Sequence, residues 1–170
     1  MISKIWLKTG KIIVLLLYAC GIQGQNFDEM VYRLIDESVP LIQPENLNEA
    51  LNTKSILVIL DAREKEEYQV SHLKNAIWVG YKDFEMASIN IPKDMQVVVY
   101  CSVGYRSENI GVKLQDAGYK NVRNLYGGIF KWKNDGYDVY DNTDNPTNKV
   151  HAYNESWGKW LVNGERVYDQ

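Results

Sequence analysis

The sequence predicts an α/β fold with a mostly parallel central sheet flanked by helices. Apolar segments of strand length alternate with helix-like segments along the middle of the chain, and this alternation is typical of a parallel sheet. Two segments, SILVILDA and QVVVYC, are continuously apolar or β-branched, as expected of strands covered on both faces. The length of 170 residues allows one domain with a sizeable core and short extensions.

Residues 1–24 have the features of an export signal peptide. A basic stretch with three lysines precedes the apolar run 12–19, which is shorter than the roughly 20 residues of a membrane-spanning helix. Cleavage near Gly24 would release a soluble protein. The sequence LYAC, which ends at Cys20, instead resembles a bacterial lipobox, in which Cys20 receives a lipid anchor. Both ways of processing the signal remain possible. The protein is therefore predicted to be periplasmic or lipid-anchored to a bacterial membrane.

The first helix of the mature chain is predicted within residues 25–39. Asn26 fits the position of a helix cap, because its side chain can accept a hydrogen bond from the first turn. Met30, Val31 and Leu34 follow at helical spacing. We therefore expect these three apolar side chains to lie on the buried face of the helix.

A central domain is predicted over residues 40–141. An extended piece comes first, and a short helix then begins at Pro44 or Asn46, since proline suits the first helical position. The apolar strand SILVILDA ends abruptly after Asp61, and a second apolar strand follows at 76–79. QVVVYC is the most β-branched segment and is therefore the best candidate for the centre of the sheet.

The segments that follow the central strand predict a helix, a short strand and a second helix. SENIGVKLQDAGY places Ile110, Leu114 and Ala117 on one helical face and ends at Gly118, which fits the left-handed cap of a helix C-terminus. NVRNLYGGIFKWKNDGYDVY then contains a short strand, a double-glycine turn and a short helix that carries Trp132. This alternation completes the α/β pattern.

The last residues, 142–170, form a C-terminal extension of different composition. A polar loop comes first, and Asn163-Gly164 then stands between two short β-prone arms, which is a strong local signal for a β-hairpin. Trp157 and Trp160 need a place to be buried, so we expect the extension to pack back on the domain. A mobile tail is the alternative.

The net charge and the motifs of the sequence limit the classes of binding partner and cofactor. Removal of residues 1–24 takes three of the 19 basic residues and none of the 22 acidic ones, so the mature surface does not suit nucleic acid. The sequence contains no phosphate-binding glycine loop, serine triad or paired-carboxylate motif, and His151 lies apart from any cysteine. We therefore expect no cofactor and no metal, and we expect a monomer that acts on small molecules.

A cysteine stands where the predicted central strand meets the next helix. The loop residues are Cys101, Ser102, Val103, Gly104, Tyr105, Arg106 and Ser107. Converging backbone N–H groups and the helix dipole form a cradle that stabilises a thiolate over a thiol. Gly104 would supply unusual backbone angles, Arg106 a positive charge for an anionic substrate or for bracing the loop, and Ser107 a helix cap.

Two interpretations of Cys101 are open at this point. Cys20 and Cys101 are the only cysteines, so the mature chain keeps one free thiol and cannot form an internal disulfide. An unpaired thiol in an exported protein is a candidate nucleophile. Free cysteine is also among the most buried residue types, and an inert core residue is the alternative.

Taken together, these motifs resemble the single-domain rhodanese family, in its bacterial exported type. The matching elements, in family order, are LDAR at 60–63, EEY at 66–68, SHL at 71–73, NA at 75–76, CSVGYRS at 101–107, and the glycines and aromatic residues between Gly118 and Trp132. They span about residues 40 to 140. The resemblance implies a rhodanese-like three-layer fold. Ser71 departs from the family pattern, which has glycine before the histidine.

The resemblance implies sulfur transfer. In that chemistry the Cys101 thiolate takes the outer sulfur of a donor such as thiosulfate, and the resulting persulfide passes it to a thiol or to cyanide. The N–H groups of 102–107 would hold the persulfide, and Arg106 would bind the anionic end of the donor. Because this loop has a single cation, a persulfide or other donor of low charge is an alternative to thiosulfate.

Other residues of the motifs are expected to support the site. Asp61 and Arg63 more closely resemble an ion-pair brace than a catalytic pair. His72 is expected to be an oriented hydrogen-bonding residue rather than a base, and Trp132 a core residue or pocket wall.

The loop and the fold leave two alternatives to a sulfurtransferase. Phosphatases on a related fold use a loop one residue longer, since phosphate needs a wider ring of amides than one sulfur, so the four residues between Cys101 and Arg106 favour sulfur. A non-catalytic module that carries or senses sulfur, or that binds a partner, is the second alternative.

Overall fold

The computed structural model describes residues 27–168. Within this range no helix is long and apolar enough to cross a membrane. The predicted export signal with its lipobox cysteine, Cys20, and the predicted helix cap Asn26 lie outside the described residues and stay predictions.

Five parallel strands form the central sheet, in the order β1-β5-β4-β2-β3. The strands are β1 (Leu41–Ile42), β2 (Leu57–Asp61), β3 (Ile77–Trp78), β4 (Gln96–Tyr100) and β5 (Asn121–Leu125). The β-branched strand β4 lies at the centre, as its sequence predicts. The α/β class with a parallel sheet and flanking helices is confirmed.

Helices cover both faces of the sheet. They are α1 (27–34), α2 (Pro44–Asn52), α3 (Lys65–Val70), a short 3-10 helix (Met86–Ser88), α4 (Tyr105–Asp116) and α5 (Gly128–Asn134). Alternate residues of β4 enter two separate cores: Val98 and Tyr100 pack with α1, α2 and α5, whereas Val97 and Val99 pack with α4. This alternation follows from the two-residue period of a strand, and it produces three layers.

Helix α1 turns a slightly different face inward from the one predicted. Val31 is fully buried, and Phe27 and Ile35 are buried beside it. Met30 and Leu34 are only partly buried at the edge of the same core. The predicted face was therefore shifted, because the aromatic ring of Phe27 finds a partner in Trp160 of the C-terminal extension.

Helix α4 begins earlier than expected but ends as predicted. Gly104 takes the N-cap position with a left-handed backbone (φ +114°), and the helix starts at Tyr105. The prediction of Ser107 as the cap was therefore wrong: Ser107 lies inside the first turn and donates its hydroxyl to Asn124. At the other end, Gly118 adopts φ +91° and donates its N–H to Gln115 at 2.8 Å, which confirms the left-handed cap.

The C-terminal extension packs on the domain but does not form the predicted hairpin. Its elements, with the preceding strand, are β6 (Val139–Tyr140), β7 (Pro146–Thr147), β8 (Lys149–His151), α6 (Glu155–Gly158) and β9 (Glu165–Val167). Strand β9 pairs in parallel with β8, so Asn163-Gly164 does not join two antiparallel arms. The extension packs inward through Val150, Ala152 and Leu161, which are fully buried.

The reason for this difference is a side chain outside the extension. Asn134 accepts hydrogen bonds from the N–H groups of Val162 (2.8 Å) and Asn163 (3.1 Å), and it donates to the carbonyl of Trp160 (2.8 Å). The first predicted arm therefore bonds to Asn134 instead of to a partner strand. The local hairpin signal is overridden by a tertiary contact.

Candidate active site

Cys101 directly follows β4, and the loop after it turns so that a backbone amide faces its sulfur. The N–H of Gly104 donates to Cys101 Sγ over 3.2 Å. Gly104 can do this because its left-handed backbone is a conformation that favours glycine. The Cys101 residue is 1% exposed, so its thiol is almost completely enclosed by the protein.

A buried asparagine on the neighbouring strand holds Gly104 through its carbonyl group. Asn124, on β5, donates its side-chain amide to the carbonyl of Gly104 (2.9 Å) and accepts the hydroxyl of Ser107 (2.7 Å). Asn124 is fully buried, so these bonds lie in a low-dielectric environment. Sequence reasoning missed Asn124, although the strand period places it on the same face as the buried Val122. A polar residue at such a position was the available signal.

The double-glycine turn brings the start of α5 against the same loop. The N–H groups of Ile129 and Phe130 donate to the carbonyls of Cys101 (2.9 Å) and Ser102 (3.1 Å). A Cβ atom on Gly128 would lie 2.3 Å from the carbonyl oxygen of Cys101. Only glycine therefore permits this close approach of two backbones.

An ion pair closes the other side of the loop. Arg106, the second residue of α4, donates from both Nη atoms to the carboxylate of Glu67, at 2.6 and 2.8 Å. Ser102 joins the network: its hydroxyl donates to Glu67 (3.0 Å) and accepts from Arg106 (2.9 Å). Glu67 is held at the start of α3, where it also accepts the N–H of Glu64. The loop is thus braced between α3, α4 and α5.

The ion pair keeps both of its members charged despite their burial. Burial favours neutral Glu67, but the hydrogen bond from Arg106 and the charges of Arg106 and Arg63 outweigh it and lower the pKa of Glu67 to about 2. For Arg106, burial opposes the charge, whereas the hydrogen bond to Glu67 and the charge of Cys101 raise its pKa above the ordinary value. The carboxylate of Glu67 therefore balances the one cation of the loop.

Of the two roles predicted for Arg106, the bracing of the loop corresponds to the contacts that its side chain makes. The structure places the guanidinium in the bracing contact with Glu67 and Ser102. Its predicted contact with the anionic end of a donor stays a prediction. Glu67 was part of the matched motif but received no role from the sequence, because pairing with Arg106 across 39 positions leaves no local signal.

The remaining loop residues differ in exposure. Val103 is 5% exposed and belongs to the core, whereas Tyr105, which directly follows Gly104, is 50% exposed. Val103 therefore anchors the loop. Tyr105 presents an aromatic surface to solvent.

Asp61 and Arg63 form the buried ion pair that sequence reasoning favoured as a brace. Arg63 donates to Asp61 from Nε (3.0 Å) and Nη2 (2.6 Å), and Nη2 also donates to the carbonyl of Ser71 (2.6 Å). Tyr100, the last residue of β4, donates its hydroxyl to Asp61. Burial, together with the charge of Asp61, raises the pKa of Tyr100 well above its ordinary value, so Tyr100 stays a neutral donor below Cys101.

His72 and Trp132 make contacts that are typical of structural residues. The His72 ring stacks on Tyr68 with centroids 4.1 Å apart, and its Nδ1 lies 3.1 Å from the Tyr68 carbonyl oxygen. Trp132 is 4% exposed in the core, where its indole N–H donates to the carbonyl of Asp138 (2.8 Å). These contacts orient both rings.

A parallel sheet whose central strand ends in a cysteine, with a tight loop and a helix N-terminus behind it, defines an α/β domain built around one thiol. The family model of the rhodanese-like domain matches residues 43–135, which is more than half of the chain. The chain belongs to the rhodanese-like domain family, as its motifs predict.

Individual relatives support this assignment. The chain is 32% identical over 80 residues to the thiosulfate sulfurtransferase GlpE of Coxiella burnetii, covering 47% of this chain and 75% of that protein. It is 30% identical over 102 residues to the adenylyltransferase and sulfurtransferase UBA4 of Candida albicans, covering 55% of this chain but 23% of that protein. The crystal structure of a rhodanese-related protein from Thermoplasma volcanium is 26% identical, covers 59% of this chain and 96% of that one, and has a TM-score of 0.53.

Proposed function

We propose that this protein is a sulfurtransferase that moves a sulfane sulfur from thiosulfate or a persulfide, through a Cys101 persulfide, to a thiol or to cyanide. The observation that carries the proposal is the hydrogen bond from the Gly104 N–H to Cys101 Sγ in a loop of four residues closed by Arg106. Similarity to a thiosulfate sulfurtransferase over 80 residues supports the same chemistry.

The reaction has two displacement steps. First, the Cys101 thiolate attacks the outer sulfur of the donor, a new S–S bond forms, and the donor's own S–S bond breaks. Sulfite, or the thiolate of a persulfide donor, leaves with the electron pair. In the second step the acceptor attacks the outer sulfur of the Cys101 persulfide, and the Cys101 thiolate is the leaving group.

The loop amides are suited to stabilise the sulfur anion in both states. The Gly104 N–H donates to Sγ, and the first N–H groups of a helix such as α4 have no acceptor inside the helix. Such preorganised donors stabilise developing negative charge without reorganisation. Four intervening residues enclose one sulfur more closely than a phosphate, which favours the sulfurtransferase over a phosphatase.

The balanced charge of the Arg106–Glu67 pair influences which charge the sulfur donor can carry. With Arg106 bonded to Glu67 through both Nη atoms, the loop offers little net positive charge to a dianion. This supports the donor of low charge, a persulfide, alongside thiosulfate.

Intact-mass measurement tests the proposal directly. The purified domain is incubated with thiosulfate or with a small persulfide, and then with cyanide. We expect the mass of one sulfur atom to be gained and then lost on cyanide treatment, and Cys101→Ser should gain none. If no donor adds a sulfur to the wild-type protein, the proposal is wrong.

A sulfur-carrying module is a second candidate, because the Cys101 residue is 1% exposed and exchange could be too slow for turnover. Steady-state thiocyanate formation separates the two. A stable Cys101 persulfide with negligible turnover would favour the carrier, whereas repeated turnover would favour the enzyme.

We also propose that residues 1–24 direct export and that the mature protein is periplasmic or lipid-anchored through Cys20. Cell fractionation followed by mass spectrometry of the N-terminus tests this. Full-length chain in the cytoplasm would contradict both forms.

A further inference from the structure

Tyr153 lies beside the active-site loop although it belongs to the C-terminal extension, outside the matched range 43–135. The centre of its ring is 5.8 Å from Arg106 Cζ, close enough for a cation–π contact. Arg106 is in turn 2.9 Å from the Ser102 hydroxyl, next to Cys101. The Tyr153 residue is 51% exposed, so a large part of the side chain stays free to contact a reactant.

The backbone of Tyr153 is held in an unusual conformation. Its φ of +64° is in the left-handed region, and among the described non-glycine residues with positive φ it is the only aromatic one. The N–H of Tyr153 donates to His151 Nδ1 (3.2 Å). The preceding residue, Ala152, is fully buried and bonded to Val167 of β9. Such strained positions persist only where the surrounding structure enforces them, and they cluster at functional sites.

The cation next to the Tyr153 ring is nearly neutralised by its ion pair. Glu67 balances the charge of Arg106, and Tyr105 of the active-site loop is a second half-exposed aromatic residue. A small polyanion gains little from such a surface. An organic group gains binding free energy, because it removes apolar area from water and can stack on a ring.

We propose that Tyr153 is a specificity-determining residue whose ring binds the organic group of the thiol that exchanges sulfur with Cys101. This inference rests on the proposed sulfurtransferase function. In the exchange, the thiolate RS⁻ attacks the outer sulfur of the Cys101 persulfide, a new S–S bond forms in RSS⁻, and Cys101 leaves as the thiolate. Cyanide removes the same sulfur as thiocyanate but has no organic group for Tyr153 to bind.

The two acceptors provide the test. Wild type, Tyr153→Ala and Tyr153→Phe are loaded with sulfur, and the rate of persulfide discharge is measured by intact mass against benzyl mercaptan and against cyanide. We expect Tyr153→Ala to lower the second-order rate constant for benzyl mercaptan about three- to tenfold, with cyanide discharge near wild type. Tyr153→Phe keeps the ring and should keep the benzyl mercaptan rate.

A control variant removes an exposed apolar side chain elsewhere. Ile56 is 79% exposed and precedes β2 at the end of the sheet away from Cys101, so Ile56→Ala should discharge to both acceptors like wild type. Equal losses for both acceptors in Tyr153→Ala would assign Tyr153 a purely structural role and overturn the inference, as would unchanged rates. Failure of wild type to gain sulfur would instead overturn the proposed function, and this inference with it.

Discussion

Asn124 and Asn134 hold two different regions of the molecule by the same means. Asn124 lies under the Cys101 loop and bonds the Gly104 carbonyl and the Ser107 hydroxyl. Asn134 lies under the C-terminal extension and bonds backbone groups of residues 160–163. The first asparagine is fully buried, and the second is partly exposed.

This difference in burial separates a fixed region from an adjustable one. A hydrogen bond that is lost inside the protein leaves an unsatisfied group, whereas water can replace one that is lost near the surface. The loop around Cys101 is braced by buried contacts on three sides, so its geometry should change only at a large cost in stability. Around Asn134 the extension can adapt, while the fully buried Ala152 keeps Tyr153 at the site.

The largest effect should come from the ion pair that closes the loop. Glu67→Gln leaves the buried charge of Arg106 without its partner, and breaking such a pair typically costs about 3–5 kcal/mol. We expect a loss of this size in the free energy of unfolding at neutral pH, measured by urea denaturation. The surface pair Arg33–Glu29, with side chains 76% and 59% exposed, is the control: Glu29→Gln should cost less than about 1 kcal/mol. Similar losses in both variants would contradict the difference between the two regions.

The same carboxylate predicts a specific pH dependence. The pKa of Glu67 is lowered from 4.5 to about 2 by folding, so its stabilising contribution is complete above pH 4.5 and is lost as the pH falls towards 2. By linkage, this shift corresponds to about 3 kcal/mol. The stability difference between wild type and Glu67→Gln should therefore shrink by about this amount across the window. Parallel acid denaturation of the two proteins would contradict the assignment.

Gly128 tests whether the loop tolerates any movement. In Gly128→Ala the new Cβ would lie 2.3 Å from the Cys101 carbonyl oxygen, so the loop has to shift. We expect about 2–3 kcal/mol of destabilisation and a slower gain of sulfur from thiosulfate. Gly118 also has positive φ but no atom within 4 Å of an added Cβ, and Gly118→Ala should cost about 1 kcal/mol with sulfur loading unchanged. Equal loading rates in both variants would show that the loop adapts.

The fold was predictable from the sequence because its signals are local. The β-branched strand β4, the cap at Gly118 and the double-glycine turn each follow from the preferences of neighbouring residues. The cysteine and the turn at Gly104 were identified for the same reason. The helix start was placed too late because Ser107 matches a cap by residue type, whereas its hydroxyl in fact bonds Asn124.

The contacts that complete the site could not be predicted, because they join residues far apart in the chain. Glu67 meets Arg106, Asn124 meets Gly104, and Tyr153 approaches Arg106 only after the sheet has formed. The hairpin prediction failed for the same reason, since the pairing of β8 with β9 and the bonds to Asn134 compete with a local turn. Sequence patterns therefore indicated where the nucleophile lies but not what surrounds it.

Asn124→Ala should affect both stability and chemistry. The substitution removes two buried hydrogen bonds, the one donated to the Gly104 carbonyl and the one accepted from the Ser107 hydroxyl, which should cost about 2 kcal/mol. Because Gly104 also donates its N–H to Cys101 Sγ, a shift of this residue should lower the rate of sulfur gain from thiosulfate as well. The measurements are urea denaturation and intact mass over time. Loss of stability with an unchanged loading rate would show that the Gly104 N–H does not depend on Asn124.

Asn134→Ala should have the smallest effect and only on stability. Three hydrogen bonds to the extension are lost, but the freed backbone groups lie where water can replace Asn134, so we expect about 1 kcal/mol. The loading of Cys101 by thiosulfate should match wild type, because the buried braces of the loop stay in place. If loading instead falls as it does in Asn124→Ala, the extension and the loop form one rigid unit, and the distinction between a fixed and an adjustable region is wrong.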